Sequence, residues 1–272
     1  MNYTFEPAPL EAVDALYQTY MDTFSGEVDN FWEDQVLRAQ QYTICREGEP
    51  CGLFAVAEWE GAPTLSAFYL TQPCWGDAQA VFRQARQAHH IRRALVATCD
   101  ELFLSLSLDV HERVNLQAYF FDGTIPPQVR PPEYPRACLS PVALADLPRM
   151  RERTGDFFDF CTDEDYRQGK FLLYQLADQG EVLGYGIMEF HRLRRDNCSL
   201  GMITLPEHRR KGVGRSIQYH QGEICREMGK RPVSGCWYGN PLSRDTQHSA
   251  GRYSKTRYLN ILLHEPDWEP RP

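Results

Sequence analysis

The residues best suited to bind a ligand lie in one contiguous stretch of the chain. An apolar run ends at Leu205 and Pro206, and a basic turn with two glycines follows it, made of Arg209, Arg210, Lys211, Gly212, Val213, Gly214 and Arg215. The first N–H groups of a helix lack internal partners and the helix dipole is positive there, so a helix starting near Val213 would attract an anion. Glycines allow close approach to the backbone. The stretch therefore predicts a site for a diphosphate, the alternative being a plain helix start with solvated basic residues.

The elements that must position this turn follow from hydrophobic periodicity. Apolar residues spaced by three and four predict helices, and short runs rich in β-branched and aromatic residues predict strands. In the second half the predicted elements are helices at Ala143–Arg153, Asp163–Gln168 and Val213–Met228, a short helix near Ser243–Ser249, and strands at Phe171–Ala177, Val182–Phe190, Cys198–Leu205, Val233–Tyr238 and Thr256–Leu263.

The first half repeats this order of elements. Its predicted helices are Leu10–Phe24, Phe31–Gln40 and Asp77–Ala88, its predicted strands are Tyr42–Arg46, Gly52–Trp59, Thr64–Leu70, Arg93–Thr98 and Val114–Phe121, and Glu101–Val110 is ambiguous. The shared order suggests an old duplication without a close residue-by-residue repeat.

A proline-rich segment separates the two halves. Five prolines fall between Ile125 and Pro135, where they fix the backbone and remove hydrogen-bond donors. We therefore predict a domain at 1–124, a linker at 125–136 and a second domain at 137–272.

The stretch around the basic turn resembles the GNAT superfamily of N-acetyltransferases. Its signature, an Arg or Gln, two residues, Gly, one residue, then Gly or Ala, is matched by Arg209, Gly212 and Gly214. The resemblance implies an α/β (α+β) fold of two GNAT-like domains in tandem, each a mixed, largely antiparallel central sheet flanked by helices. It also implies acetyl-coenzyme A as co-substrate and no metal, with the pyrophosphate on the turn. The strand residues that would pair with the pantetheine arm are Met202, Ile203, Thr204 and Leu205.

A second segment with a family counterpart lies downstream. Asn240, and less strongly Ser243, take the place of residues that hold the pantetheine or the thioester region in the family; the alternative for Asn240 is a helix cap. Many members carry a tyrosine acid where this chain has Gln247. Tyr253, Tyr238 or water would then have to protonate the leaving thiolate.

The remaining catalytic candidate is a base that deprotonates the amine. Glu189 is the first choice, because its strand should neighbour the cofactor strand, and His191 is the alternative with the more suitable unperturbed pKa. Asp156 and Asp159 are candidates for binding a cationic substrate. The alternatives are a solvated or substrate-binding carboxylate for Glu189, a loop histidine for His191, and exposed acids in a loop with buried aromatics for Asp156 and Asp159.

The first half has different chemistry at the equivalent turn. Thr71 to Asp77 contains one glycine, no arginine and an acid that would repel a diphosphate. We therefore predict a degenerate, cofactor-free copy there.

Charge and composition limit the partners. A formal net charge of -8 argues against nonspecific binding to nucleic acid or to an anionic membrane. Nine scattered cysteines without metal-site spacing suggest free thiols, and we expect a cytoplasmic protein.

The acceptor would be a small-molecule or protein amine, with a cationic one as an option, and a homodimer is left open. The function alternatives are a noncatalytic module that senses or stores acyl-coenzyme A, and a different phosphate-binding α/β protein.

Overall fold

The computed structural model describes residues 2–123 and 130–268. Its contacts cluster into two compact units, Met1–Tyr119 with Thr256–Pro272, and Phe120–Lys255. This division differs from the predicted domain limits at the C-terminal end, because the last strand pairs with a strand of the first unit. Residues 125–129 of the predicted linker lie outside the described residues.

The first unit is built on a sheet in the order β1-β2-β3-β4-β5-β12. The pairs are antiparallel except β4 with β5, which is parallel. Helix α1 buries Val13, Tyr17 and Tyr20 on one face, as its three- and four-residue spacing predicts. The elements are β1 Tyr3–Ala8, α1 Leu10–Asp22, α2 Asn30–Leu37, β2 Gln40–Arg46, β3 Glu49–Trp59, β4 Ala62–Leu70, α3 Ala78–Ala88, β5 Arg93–Ala97, α4 Glu101–Asp109, β6 His111–Asp122 and β12 Tyr253–Leu263.

The second unit has a sheet in the order β11-β10-β9-β8-β7. Its pairs are antiparallel except β10 with β11. The elements are β7 Leu139–Pro141, α5 Leu147–Thr154, α6 Asp163–Arg167, β8 Phe171–Asp178, β9 Glu181–Phe190, β10 Asn197–Thr204, α7 Val213–Glu227, β11 Arg231–Trp237 and α8 Pro241–Ser249.

Glycines on β9 let α7 pack closely on the sheet. A Cβ on Gly186 would lie 2.4 Å from Nε2 of Gln221 and 2.7 Å from Ile217, and a Cβ on Gly184 would lie 3.1 Å from Val213. Because these glycines have no side chain, α7 can lie directly on β9, with its start beside the end of β10, where the basic turn lies.

Candidate functional site

The two parallel strands of the second unit separate along their length. Asn197, Cys198 and Ser199 of β10 pair with Arg231, Pro232 and Val233 of β11, and within the described residues the ladder ends there. Both strands continue, to Thr204 and Trp237 respectively. On its other edge β10 stays paired with β9 through Thr204. The β11-facing edge of β10 therefore presents backbone N–H and C=O groups that an extended amide-containing ligand could pair with.

The basic turn presents the N–H groups of a helix start to the same opening. Arg210 and Gly212 have positive φ values, 63° and 78°. The helix's own bonding begins with the N–H of Ser216 donating to the carbonyl of Gly212 at 3.0 Å. The N–H groups of Val213, Gly214 and Arg215 precede that bond, so they are available to an anion.

A cleft of about 680 Å³ joins the turn to the open edge of β10. Eleven of the thirteen residues predicted to bind the cofactor line it, namely Met202, Ile203, Thr204, Arg209, Arg210, Gly212, Val213, Gly214, Arg215, Asn240 and Ser243. The other two lie elsewhere: the Leu205 side chain is buried in the core cluster with Leu147 and Phe158, and Lys211 is exposed.

Gly214 keeps the floor of the cleft clear. A Cβ at this position would lie 3.0 Å from Cγ2 of Thr246, 3.1 Å from Sδ of Met202 and 3.2 Å from Oγ1 of Thr204. A larger residue would therefore press against three groups of the cleft floor and narrow the space beside the helix start.

Arg215 is the most buried cation of the cleft. Its residue surface is 6% exposed, and its Nε has no hydrogen-bond partner in the described part of the chain. A guanidinium is costly to bury without acceptors. The Arg215 side chain therefore favours a ligand that brings oxygen acceptors to this end of the cleft.

Sequence reasoning missed five lining residues. Four of them lie on one face of α8, at the helical spacing of three and four: Leu242, Asp245, Thr246 and Ser249. The fifth is Phe157, which follows α5 and packs against the core cluster that contains Leu147 and Phe158. The α8 face could have been found by taking Asn240 as the helix cap and continuing the helical period.

Asn240 combines the two roles that the sequence left open. Its Oδ1 accepts a hydrogen bond from the N–H of Ser243 at 3.1 Å, which makes it the N-cap of α8. It also lines the cleft. The cap fixes the first turn of α8 against the opening.

The two base candidates lie at the far end of β9. Glu189 pairs with Ser199 of β10, and Gly186 pairs with the cleft residue Met202. Glu189 is three residues further along β9 than Gly186, which places it about 10 Å from the cleft end of the strand. Its half-buried side chain is on the same face of the sheet as Ile203. Burial lowers the pKa of His191 to about 3, and its Nε2 lies 2.8 Å from Oγ of Ser199, so this imidazole is a poor proton acceptor.

The acid candidates lie outside the lining of the cleft. Tyr238 and Tyr253 are 37% and 39% exposed. Gln247 is 2% exposed, and its Oε1 accepts a hydrogen bond from Ser234 at 3.1 Å. The buried guanidinium of Arg252 donates to Oγ of the same serine. At the helix position where many members of the GNAT superfamily carry a tyrosine, this chain therefore has a glutamine that is part of a buried polar cluster.

The equivalent cleft of the first unit is smaller, about 280 Å³. The indole N–H of Trp75 donates to the carbonyl of Leu70 at the end of β4, at 2.8 Å. Asp77, at the start of α3, accepts a hydrogen bond from the Tyr3 hydroxyl at 2.7 Å. The N-cap of α4 is Asp100, which is buried and accepts from the N–H of Phe103 and the hydroxyl of Tyr20. The first unit thus has a tryptophan bonded to the strand end and an acid at the helix start, where the second unit has glycines and arginines.

Three further findings concern the described residues. No group of three or more His, Cys, Asp or Glu side chains among residues 2–123 and 130–268 is arranged to hold a metal ion. None of the helices that the structure describes has the length and apolar character needed to span a membrane. All nine cysteines are free thiols, most of them buried.

Comparison with known proteins shows which family models and solved structures this architecture is similar to. Residues 9–124 match the model of an acetyltransferase (GNAT) domain. The structure is similar to an acetyltransferase of the GNAT family from Colwellia psychrerythraea, with a TM-score of 0.82, 14% identity and coverage of 97% of this chain and 100% of the other. Comparison with curated proteins found no match.

Two more solved structures extend the likeness over the whole chain. One is a tandem GNAT protein from the clavulanic acid biosynthesis pathway, with a TM-score of 0.61, 13% identity and coverage of 99% and 100%. The other is a GCN5-related N-acetyltransferase from Sphaerobacter thermophilus, with a TM-score of 0.62, 14% identity and coverage of 98% of both chains. The chain therefore has the GNAT fold in two units, as the sequence predicts, and the match to the GNAT domain model lies in its first half.

Proposed function

We propose that the protein is an N-acyltransferase that moves an acetyl group from acetyl-coenzyme A to a primary amine by direct transfer. The coenzyme would lie in the cleft of the second unit. The observation that carries the proposal is the joining of three features there: helix N–H groups, a buried arginine whose Nε has no acceptor among the described residues, and a strand edge without a strand partner.

Residues of the cleft offer partners for the diphosphate and for the pantetheine arm of coenzyme A. The N–H groups of Val213 to Arg215, with Arg209 and Arg215, would hold the pyrophosphate. The open edge of β10 at Met202–Thr204 would pair with the amides of the pantetheine arm. Asn240 and the cleft face of α8 would close the other side.

The thioester supplies an already activated acyl group. In the transfer, the amine nitrogen forms a bond to the carbonyl carbon, the carbon–sulfur bond breaks, the amine loses a proton and the thiolate gains one. The protein's contribution is then largely to hold the two reactants in line and to accept the amine proton. Glu189 is the proposed acceptor of that proton through water; Tyr253, Tyr238 or water is the proposed donor to sulfur.

The acceptor amine would approach beside the aromatic segment that contains Phe157. Asp156 and Asp159 flank this segment and are exposed, and Phe157 lines the cleft. Carboxylates next to aromatic rings suit an ammonium group. A small-molecule or protein amine, cationic or not, remains the proposed acceptor class, and a homodimer stays a proposal.

A noncatalytic acyl-coenzyme A sensor is the second candidate. It is favoured by the burial of Gln247 and by the positions of Glu189, Tyr238 and Tyr253 outside the lining of the cleft. In both candidate functions, the first unit is proposed to be a copy of the domain that binds no cofactor.

Binding and turnover separate these candidates. Acetyl-coenzyme A at about 100 times its Kd should stabilise the protein by about 2.7 kcal/mol, visible as a higher thermal midpoint. Thiol release in the presence of a panel of primary amines then tests transfer. Binding with amine-dependent release that falls in Glu189→Gln supports the transferase, whereas binding without release for any amine supports the sensor. Absence of binding contradicts both.

A further inference from the structure

A residue from the proline-rich segment lies on the proposed pyrophosphate site. Glu133 accepts a hydrogen bond through Oε1 from Nη2 of Arg215 at 2.8 Å. Its Cγ lies so close to Gly212 that a Cβ on that glycine would be 2.2 Å away. A carboxylate of the protein therefore sits beside the turn whose N–H groups and buried arginine suit an anion.

The segment that carries Glu133 is fastened to α7 by its backbone. The N–H of Tyr134 donates to Oγ of Ser216 at 3.1 Å, and the carbonyl of Tyr134 lies 2.8 Å from Nε2 of His220. The Tyr134 ring packs against the cluster that contains Val213 and Ile217. These contacts do not involve the Glu133 carboxylate, so its side chain can leave Arg215 while the backbone stays in place.

The Glu133 side chain is also the more loosely held partner of the ion pair. It is 45% exposed, whereas the Arg215 side chain is 7% exposed. Its Oε1 also accepts from the exposed Arg130 at 2.8 Å. A buried arginine with an exposed carboxylate is suited to exchange of the anion, because the carboxylate regains water when it is displaced.

We infer that Glu133 is a built-in competitor for the cleft: its carboxylate neutralises Arg215 in the free protein, and the diphosphate of the ligand must displace it. The inference rests on the proposed function, since it assigns a regulation to the same site. The segment around Tyr134 would then set the affinity for coenzyme A without touching the acyl end.

The test is Glu133→Gln, which keeps the size of the side chain and removes its charge. Isothermal titration with acetyl-coenzyme A and with inorganic pyrophosphate should give Kd values about three- to tenfold lower than in the native protein, as expected for loss of one charge-assisted contact. S-acetylpantetheine lacks the diphosphate, so its Kd should not change. Glu133→Ala should behave in the same way.

A matched control is Glu265→Gln in the first unit. Glu265 pairs with Arg92 at 2.7 Å, so this variant removes an arginine–carboxylate contact that is exposed and outside the cleft. It should leave all three Kd values unchanged. Thermal midpoints without ligand show that each variant is folded.

Three outcomes decide the matter. Unchanged or weaker binding of acetyl-coenzyme A and pyrophosphate by folded Glu133→Gln, with normal binding by the native protein, overturns the competitor role and leaves the proposed function intact. Tighter binding of S-acetylpantetheine to the same extent also overturns it, because the effect would not act through the diphosphate. If neither native nor variant protein binds coenzyme A, the proposed function itself fails.

Discussion

The two units place opposite chemistry at equivalent positions of one fold. After the fourth strand of the first unit, Trp75 bonds the strand carbonyl and Asp77 stands at the helix start. After β10 of the second unit, the chain supplies Gly212, Gly214 and a set of arginines. The cleft that results is about 280 Å³ in the first unit and about 680 Å³ in the second.

The N-caps of the following helices show the same contrast. Asp100 caps α4 as a buried carboxylate, and burial raises its pKa to about 7. Asn240 caps α8 as an exposed neutral amide on the rim of the cleft. One fold can thus carry either a turn with an acid at the helix start or a turn with glycines and arginines, because the scaffold constrains these few loop and cap residues least.

Family resemblance and ligand chemistry fall on different halves of the chain. The GNAT domain model matches residues 9–124, whereas the open basic cleft lies in the second unit. A match along a domain reflects many positions of the strands and helices, whereas a binding cleft depends on a few. The first two sets of variants below are therefore designed as pairs, one in each unit.

The largest expected effect comes from a negative charge in the basic turn. Gly212→Glu should weaken acetyl-coenzyme A binding by about a hundredfold or more, because it adds a carboxylate beside the N–H groups and forces a side chain on a residue with φ of 78°. Isothermal titration measures the loss, and circular dichroism checks the fold.

The paired control is Gly76→Glu in the first unit. A Cβ on Gly76 would meet nothing within 4 Å, so this residue tolerates a side chain. Its Kd for acetyl-coenzyme A should equal that of the native protein. Loss of binding in Gly76→Glu with retention in Gly212→Glu would reverse the assignment of the two clefts.

The next effect is a pH dependence of stability that belongs to the first unit. Because burial raises the pKa of Asp100 from 3.8 to about 7, the folded state holds a proton that the unfolded state has released. The stabilisation is complete below about pH 4 and is lost as pH rises through about 7, at up to about 1.4 kcal/mol per pH unit. Asp29, also raised to about 7 by burial, adds a slope of the same sign.

Urea unfolding between pH 4 and 8 tests this dependence. Asp100→Asn should lose less stability than the native protein as pH rises, because only the Asp29 part and the opposing part from buried His191 remain. The counterpart Asn240→Asp introduces a carboxylate at an exposed cap, so it should add no slope over this range. Parallel curves for the native protein and Asp100→Asn would exclude the buried carboxyl as the source.

These effects also show what could be read from the sequence. The basic turn was found because its strand, proline, charges and glycines are adjacent in the chain. The contact of Glu133 with Arg215 was missed, because it joins residues 82 positions apart. The pairing of β12 with β5 was missed for a similar reason, since both read as ordinary apolar strands.

Local ambiguity explains the remaining differences. Leu102, Leu104, Leu106 and Leu108 alternate as in a strand, yet Glu101–Asp109 is helical, with Asp100 as its cap. Strand β1 was not predicted; it contains Pro7 and is at the edge of the first sheet, where a missing donor is tolerated. The catalytic acid and base have no local signature, so tertiary packing alone determines their neighbours.

A smaller effect is expected from single cations of the turn. Arg209→Gln should weaken acetyl-coenzyme A binding about tenfold, as for loss of one charge-assisted phosphate contact. Lys211→Gln is the matched variant, because Lys211 is exposed and outside the cleft lining. Titration at fixed ionic strength should find its Kd within about twofold of native. Equal losses in both variants would indicate a general charge effect instead of a contact.

The smallest effect concerns the cap of α8. Asn240→Ala should lower the free energy of unfolding by about 1 kcal/mol, because the N–H of Ser243 loses its acceptor. Asn240→Ser, which restores a capping oxygen, should recover most of that loss. Chemical denaturation measures both, and a stability equal to native in the alanine variant would show that the cap contributes little.

The most direct test of the account is a crystal structure of the protein grown with acetyl-coenzyme A. We expect one coenzyme per chain, with its diphosphate on the N–H groups of Val213 to Arg215 and its pantetheine along β10. Glu133 should have turned away from Arg215. Coenzyme bound at the first unit's cleft beside Trp75 and Asp100, or none bound at saturating concentration, would contradict the assignment of the second unit as the cofactor site.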